Sequence, residues 1–235
     1  MASAQTAGIF VTGTDTGVGK TLVSCALIAS FRKSGLKVGV MKAIETGVGS
    51  AGPLDAIALR DAAGSTDPLA TICPQQFALP AAPNAAADAE NREVDLAAID
   101  AAFEALATGR DLILVEGAGG LLVPIRGDCT MADLARRLDL PLLVVARASL
   151  GTINHTALTL EVAASKKLPV LGVIISHADG PISAADASNL EALKNYLGNR
   201  LIGEIPPLGP GESPPPDAID IDALTQRLRF HQKTT

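Results

Sequence analysis

The stretch GIFVTGTDTGVGKT, residues 8–21, joins a short apolar run to a glycine-rich loop that ends in Gly-Lys-Thr. The apolar run 8–13 predicts a buried strand, and the apolar spacing over 20–33 predicts a helix. A loop between a strand and a helix directs free backbone N–H groups at an anion, and the helix start adds a positive dipole end. The stretch therefore predicts a phosphate-binding loop, called the phosphate loop below (residues 13–21).

The spacing inside this loop departs from the usual pattern, which is a glycine, four residues and then Gly-Lys-Ser or Gly-Lys-Thr. Counting back from Lys20 places Thr14 at the first glycine position, and the glycine comes one residue earlier, at Gly13. Lys20 can still reach the β- and γ-phosphates, and the Thr21 hydroxyl can hold Mg²⁺. The alternative is a glycine-rich turn whose lysine and threonine only begin a solvated helix; the strand–loop–helix order favours the phosphate site.

Short apolar runs alternate with longer amphipathic segments along the rest of the chain. Further strands are predicted at 37–43, 111–117, 140–147, 168–176 and 201–206. Further helices are predicted at 55–64, 95–109, 152–166 and 184–198, with a short helix or a lid at 78–91 and a surface loop at 212–218 before a short C-terminal helix. The alternation predicts an α/β fold of the P-loop NTPase type, with a mostly parallel sheet of about seven strands and helices on both faces.

No internal repeat divides the chain, so we expect residues 1–235 to form a single domain, with a disordered or weakly docked C-terminal tail at 227–235. The net charge of −6 and the scattered basic residues argue against nucleic acid as a partner. Cys25, Cys73 and Cys129 lack metal-ligand spacing and suggest reduced thiols. No apolar run approaches the ~18 residues of a membrane span. We expect a cytoplasmic protein with small-molecule partners and no membrane partner.

Two carboxylates could hold Mg²⁺ beside the phosphate loop. Glu116 ends the apolar run 112–117 and precedes a second glycine-rich loop, GAGG (117–120). Mg²⁺ prefers oxygen ligands, so a strand-end carboxylate suits it, although Glu116 could also be an ordinary exposed residue. Asp55 is explained equally well as the N-cap of the helix predicted at 55–64, so both interpretations of it stay open.

Several segments together resemble the dethiobiotin synthetase family, in the family's order and roughly its spacing. The matching segments are VTGTDTGVGKT (11–21), MKAIETG (41–47), LDAIAL (54–59), LVEGAGGLLVPI (114–125), LGTINH (150–155) and GEIP (203–206). The family has the same longer phosphate loop. The resemblance implies ATP-dependent carboxylation and ring closure of 7,8-diaminopelargonate with CO₂ to dethiobiotin, ADP and phosphate, through a carbamate and a carbamic–phosphoric anhydride.

The resemblance also implies roles for individual residues. The residues implied for nucleotide binding are Gly17, Val18, Gly19, Lys20, Thr21, Leu22, Asp55, Glu116, Gly117, Ala118, Gly119, Ser176, Ile205, Pro206 and Pro207. Mg²⁺ would be held by Thr21, Asp55 and Glu116, and catalysis would use Lys42, Lys20 and Thr14. The residues implied for contact with the substrate are Lys42, Thr46, Gly151 and Asn154. In the family the stretch at 150–155 reaches the substrate of the other subunit, which implies a homodimer. Without the resemblance, Lys42 and Asn154 would be interpreted as solvated polar residues.

One position departs from the family pattern. Many members carry an asparagine that reads adenine directly after the strand that is GVII (172–175) here, whereas this chain has Ser176 followed by His177. A serine hydroxyl cannot make the paired donor and acceptor contact of an amide. The sequence therefore leaves the base preference open and predicts a weaker preference for ATP than in members with the asparagine.

Two other classes of protein, one of enzymes and one of nucleotide switches, share parts of this sequence pattern. A cobyrinic acid diamide synthase has a related fold but normally adds a glutaminase domain with a nucleophilic cysteine, and the three cysteines here lack that setting. A partitioning-type ATPase normally has a lysine near the first glycine, where this chain has Thr14 and Asp15. ATP turnover that depends on diaminopelargonate and bicarbonate would distinguish the synthetase from the switch.

Overall fold

In a computed structural model, which describes residues 6–178, 180–209 and 211–234, strands and helices alternate along the chain. The strands are β1 (Ala7–Gly13), β2 (Val38–Lys42), β3 (Ile44–Thr46), β4 (Gln75–Phe77), β5 (Leu112–Glu116), β6 (Pro124–Arg126), β7 (Cys129–Thr130), β8 (Leu142–Arg147), β9 (Val170–Ser176) and β10 (Leu201–Ile205). The helices are α1 (Lys20–Lys33), α2 (Leu54–Ala63), α3 (Leu69–Ile72), α4 (Pro83–Ala89), α5 (Leu96–Ala107), α6 (Met131–Arg137), α7 (Thr152–Ser165), α8 (Ala184–Leu197) and α9 (Ile221–Thr234).

Six of these strands form the central sheet, in the order β10-β9-β8-β1-β5-β2, and all neighbouring pairs are parallel. The prediction of a mostly parallel α/β fold is confirmed, with six strands in the sheet instead of about seven. Two short ladders, β3 with β4 and β6 with β7, lie outside it. Every residue of β2 and β5 is buried, as expected for parallel strands covered on both faces.

The sheet order places the phosphate loop between two neighbouring strands. β1 lies between β5 and β8, and its carboxyl end leads into the loop. The Gly13 N–H donates to the Gly119 carbonyl at 3.2 Å, and the Thr14 N–H donates to the Val145 carbonyl at 2.9 Å. The loop therefore starts from a backbone that is held on both sides, at the sheet edge where α/β proteins bind ligands.

The interpretation of Asp55 as a helix N-cap is wrong. Helix α2 begins at Leu54, one residue before it, and the residue preceding the helix is Pro53. The two carboxylate oxygens of Glu45 accept from the N–H groups of Asp55 and Ala56, each at 3.0 Å. Because Glu45 satisfies these N–H groups from the neighbouring β3, the Asp55 side chain is available for other contacts.

Two further segments bear on the sequence predictions. The alanine-rich stretch 78–91 contains helix α4, which agrees with the helical alternative. The C-terminal stretch 227–235, predicted as a disordered or weakly docked tail, continues helix α9 as far as Thr234, so its first residues are helical and the weakly docked alternative stays a prediction. Arg227 donates to the carbonyls of Leu171 and Asn199 at 2.6 and 2.7 Å, and Leu228 is buried with Leu224, because the two share one face of the helix. Thr235 lies outside the described residues.

Within the described ranges, none of the helices combines the length and the apolar character that crossing a membrane requires.

Candidate active site

A cavity of about 590 Å³ lies at the carboxyl ends of β1, β2 and β5. It brings together many of the residues predicted for nucleotide, metal and substrate: Gly17, Gly19, Lys20, Thr21, Lys42, Thr46, Asp55, Ala118 and Gly119. The other lining residues are Thr16, Ile44, Glu45, Pro80, Ala81, Ala82, Pro83 and Val123. One cavity therefore faces both the phosphate loop and the segment 42–46 that follows β2.

Charged and hydroxyl groups form one network at the base of this cavity. The Lys42 ammonium lies 2.6 Å from Asp55 Oδ2 and 2.7 Å from Glu116 Oε1. The Thr21 hydroxyl lies 3.0 Å from Asp55 Oδ1 and 2.9 Å from Glu116 Oε1, and the Ser24 hydroxyl donates to Glu116 Oε2 at 2.7 Å. Glu116 is fully buried, so this network satisfies a carboxylate that would otherwise be very costly to bury.

The contacts within this network shift the pKa values of Lys42 and Asp55. Burial by itself lowers the pKa of Lys42, but the carboxylates of Glu116 and Asp55 outweigh it and raise that pKa above its ordinary value. Burial by itself raises the pKa of Asp55, but Lys42 and the Thr21 hydroxyl lower it overall. The lysine is therefore a permanent cation at neutral pH and Asp55 is a carboxylate.

Lys20 has a different environment, although it lines the same cavity. Its ammonium donates to the backbone carbonyl of Asp15 at 3.0 Å, inside the phosphate loop. Burial, followed by repulsion from Lys42, lowers the pKa of Lys20 to about 8. A cation that is only partly compensated in this way gains from an incoming anion, which is what a phosphate site requires.

The unusual glycine spacing has a steric explanation in the fold of the loop. A Cβ on Gly13 would lie 2.7 Å from the Asp15 carbonyl oxygen, 2.8 Å from Val18 Cγ2 and 3.1 Å from Lys20 Nζ. The loop closes directly over Gly13, so a side chain there would displace the backbone that holds Lys20. Thr14 instead continues the pairing with β8, and its φ is not positive. Glycine is therefore required at 13 rather than at 14.

Oxygen donors suited to Mg²⁺ meet at Thr21, Asp55 and Glu116. The Thr21 hydroxyl is within 3.0 Å of an oxygen of each carboxylate, although the three residues come from α1, α2 and β5. Among the described residues, no group of three or more His, Cys, Asp or Glu side chains is placed to hold a metal ion. Two carboxylates and a hydroxyl nevertheless fit Mg²⁺, which usually takes one or two carboxylates and completes its shell with water and phosphate oxygens.

Several residues of this site were missed by reasoning from the sequence. Glu45 caps α2 and lines the cavity, and Ser24 binds Glu116. The signal for Ser24 is its place three residues after Thr21, on the same helix face. The cavity wall formed by 80–83 lies in the stretch 78–91, which the sequence predicts as a short helix or a lid, but its place at the cavity depends on the tertiary contact of α4 with β3.

Two of the residues predicted for nucleotide binding line a second cavity, of about 460 Å³. Pro206 and Pro207 line it together with His177, Glu204, Pro215, Asp217 and Ala218. Ser176 is buried next to the phosphate loop, since a Cβ on Gly19 would lie 2.4 Å from the Ser176 hydroxyl oxygen. Ile205, the last residue of β10, is buried and pairs with Ser176 of the neighbouring β9, and neither of these two residues lines the cavity.

The remaining predicted residues do not line the first cavity in the described part of the chain. Val18 is a buried member of the phosphate loop, Leu22 faces a groove beside the loop 212–216, and the Thr14 hydroxyl is buried. Gly117 offers its carbonyl to Lys42 at 3.5 Å. Gly151 and Asn154 lie at the start of α7, where Asn154 is exposed. The roles predicted for all of these residues stay predictions.

Comparison with known proteins decides the family. The family model described as an AAA domain matches residues 7–214. An ATP-dependent dethiobiotin synthetase from Anaeromyxobacter dehalogenans is 50% identical over 189 residues, which cover 78% of this chain and 85% of that protein. The chain belongs to the dethiobiotin synthetase family. A second relative of the same name, from Thermodesulfovibrio yellowstonii, is 43% identical over 212 residues, covering 85% of this chain and 88% of that protein.

Solved structures with similar folds extend beyond this family. A chain of the MinC:MinD cell division protein complex from Aquifex aeolicus has a TM-score of 0.58 at 18% identity, covering 93% of this chain and 94% of that chain. The chloroplast FtsY protein from Physcomitrella patens has a TM-score of 0.52 at 20% identity and covers 95% of this chain and 66% of that one. At these identities the likeness concerns the fold alone, so this dethiobiotin synthetase family member shares its architecture with proteins of other names.

Proposed function

We propose that the chain catalyses the ATP-dependent carboxylation and ring closure of 7,8-diaminopelargonate with CO₂, yielding dethiobiotin, ADP and phosphate in biotin biosynthesis. The observation that carries the proposal is that one cavity presents the phosphate loop, Lys42 and Thr46 side by side. A phosphoryl donor and a small acceptor can meet there. Membership of the dethiobiotin synthetase family supports the reaction.

The proposed reaction has three steps. One amine of the substrate adds to CO₂, forming a carbamate and releasing a proton. A carbamate oxygen then takes the γ-phosphoryl group of ATP, giving a carbamic–phosphoric anhydride and ADP. The second amine attacks the carbonyl carbon, the bond from that carbon to the phosphate oxygen breaks, and phosphate leaves as the ureido ring closes.

The two lysines would divide the charge stabilisation. Lys20, which donates one hydrogen bond to the loop carbonyl of Asp15, has further N–H donors that would bind the phosphoryl group during its transfer. Lys42, a permanent cation between Asp55 and Glu116, would hold the carbamate near that group. Thr46, on the same wall of the cavity, would hydrogen-bond the substrate. A catalytic role for Thr14 stays a prediction, since its backbone is tied to β8.

Thr21, Asp55 and Glu116 would hold Mg²⁺ when ATP binds, and the ion would neutralise charge on the phosphates. In this structure Lys42 contacts both carboxylates, so they are already partly neutralised. We expect Asp55, which is the more exposed of the two, to change its contacts more than Glu116 on loading with metal and nucleotide.

A homodimer is part of the proposal, with the substrate site near the interface. Gly151 directly precedes α7 with a positive φ of 89°, and the helix start offers N–H groups for a carboxylate. Leu150, two residues before α7, is 74% exposed, and Leu158, one turn after Asn154 on α7, is 55% exposed. Exposed leucines on either side of a predicted substrate residue favour contact with a second copy. Sedimentation of the purified protein would measure the assembly.

The decisive assay measures ATP turnover with and without diaminopelargonate and bicarbonate. Turnover that requires both compounds, with dethiobiotin as a product, is the expected result. ATP turnover that does not change when either compound is added would refute the proposed synthetase activity and favour a nucleotide switch. The gene should also restore growth of a biotin auxotroph that lacks this step, whereas the Lys20→Ala and Lys42→Ala variants should not.

A further inference from the structure

Asp15 is the first residue of the phosphate loop that is not fixed by pairing with a neighbouring strand, and three contacts converge on it. Its Oδ2 lies 2.6 Å from an Nη2 of Arg147, and its Oδ1 accepts from the Thr16 N–H at 2.7 Å. Its backbone carbonyl accepts from the Lys20 ammonium at 3.0 Å. The side chain and the main chain of one residue therefore connect Arg147 with the lysine of the phosphate site.

The position of Arg147 follows from the sheet. It is the last residue of β8, and Val145 of the same strand pairs with Gly13 of β1. Residues two apart in a strand point to the same face of the sheet, so the Arg147 side chain lies on the same face as Val145. It is therefore next to the carboxyl end of β1, where the phosphate loop begins. The side chain is 25% exposed, and among the described residues Asp15 is the carboxylate with which it forms an ion pair.

We propose that Arg147 is a positioning residue for nucleotide binding: by holding the Asp15 carboxylate, it fixes the Asp15 carbonyl and thereby the Lys20 side chain in the phosphate loop. The proposal rests on the proposed phosphate site. Neither Asp15 nor Arg147 is among the residues that line the 590 Å³ cavity, so the pair acts through the loop backbone.

The longer loop explains why such an anchor is useful. The residues between Thr14, whose N–H is bound by β8, and the start of α1 must fold back over Gly13. Gly17 and Gly19 in this segment have positive φ values and add backbone freedom in the absence of ligand. An ion pair at Asp15 restricts that freedom before the nucleotide arrives, which lowers the cost of ordering the loop on binding.

The test measures the equilibrium Kd of a fluorescent ATP analogue without diaminopelargonate or bicarbonate. The Asp15 side chain is half exposed, so the pair should contribute modestly. We expect Arg147→Ala and Asp15→Asn each to raise Kd about two- to fivefold. The double variant should bind no more weakly than the weaker single variant, because both changes remove the same contact. Arg147→Lys should give an intermediate Kd. Arg137→Ala, which breaks a surface ion pair with Asp100, is the matched control and should leave Kd unchanged.

Two results would overturn the inference. If Arg147 acted only by attracting the nucleotide, Asp15→Asn would tighten binding and the two effects would add. If Arg147→Ala changed the melting temperature but not Kd, its role would be merely structural. Arg147→Lys and Asp15→Asn keep the test decisive should Arg147→Ala fail to fold. The binding test contains neither diaminopelargonate nor bicarbonate. A failure of the carboxylation assay would therefore count against the proposed reaction and not against the role of Arg147 and Asp15.

Discussion

Lys42 and Glu116 are direct cross-strand partners: they end β2 and β5, pair in the parallel register, and bring Nζ and Oε1 to 2.7 Å. Both side chains are almost completely buried. A slip of one residue in the register would turn one of them to the opposite face of the sheet. The strand register therefore builds the charged centre of the cavity.

Replacing Lys42 by methionine should abolish ATP turnover and also destabilise the protein. Glu116 would be left buried with hydroxyl partners only, and breaking a buried pair by removing one partner costs about 3–5 kcal/mol. Denaturant unfolding measures the free energy of unfolding, and an ATPase assay with substrate measures activity.

The control is the double variant Lys42→Met with Glu116→Gln. A neutral amide removes the unpaired charge, so most of the lost stability should return while activity stays absent. A Lys42→Met protein as stable as the wild type would contradict the buried pair.

Nucleotide affinity should fall as the pH rises above about 8. The pKa of Lys20 is lowered to about 8 by burial and by Lys42, and bound phosphates favour the charged ammonium and raise that pKa again. Above the free-state pKa, binding must therefore take up a proton, and Kd should rise by up to about tenfold per pH unit. The pKa of Lys42 is raised, so this lysine does not titrate in the same range.

Isothermal titration between pH 7 and 9.5, in buffers of different ionisation enthalpy, measures both Kd and proton uptake. The Lys20→Arg variant stays charged throughout and should lose the pH dependence, whatever its absolute affinity. A wild-type Kd that is constant over this range, or an unchanged slope in Lys20→Arg, would rule out Lys20 as the source.

Gly13→Ala should weaken ATP binding about tenfold or more. The added methyl would meet the Asp15 carbonyl oxygen at 2.7 Å, and overpacking of this kind costs about 1–3 kcal/mol, here by shifting the loop. Gly49→Ala is the matched control, because a Cβ there meets no atom within 4 Å and its φ is not positive. Equal affinities in the two variants would mean that the loop does not need to close over residue 13.

The preference for ATP over other nucleoside triphosphates should be weaker than in family members that have an asparagine at the position of Ser176. Ser176 offers one hydroxyl beside Gly19, and the adjacent His177 directs Nε2 to Glu204 at 2.8 Å. Neither side chain is an amide that could pair with the adenine edge. Initial rates with ATP, GTP and CTP at equal concentrations measure the preference, and a strong advantage for ATP would contradict the expectation.

Much of the fold could be predicted locally. The helix over 20–33 and the strands of the central sheet have boundaries within two residues of those predicted, because apolar periodicity and glycines encode where elements begin and end. The N-cap interpretation of Asp55 failed because Glu45, from another element, satisfies the start of α2. The order in the first residues of 227–235 depends on tertiary contacts, because Leu228 is buried together with Leu224 and Arg227 binds the carbonyls of Leu171 and Asn199.

Sequence patterns predict the parallel α/β architecture, the phosphate loop, the neighbouring GAGG loop and the family. These depend on residues that are close along the chain, where period, spacing and glycine content are visible. The folded protein is needed to see that Lys42 lies between Asp55 and Glu116, that Glu45 caps α2, and that Arg147 holds Asp15. Such contacts join strands whose order and register no local pattern records, because they arise when the sheet assembles and buries its charges together.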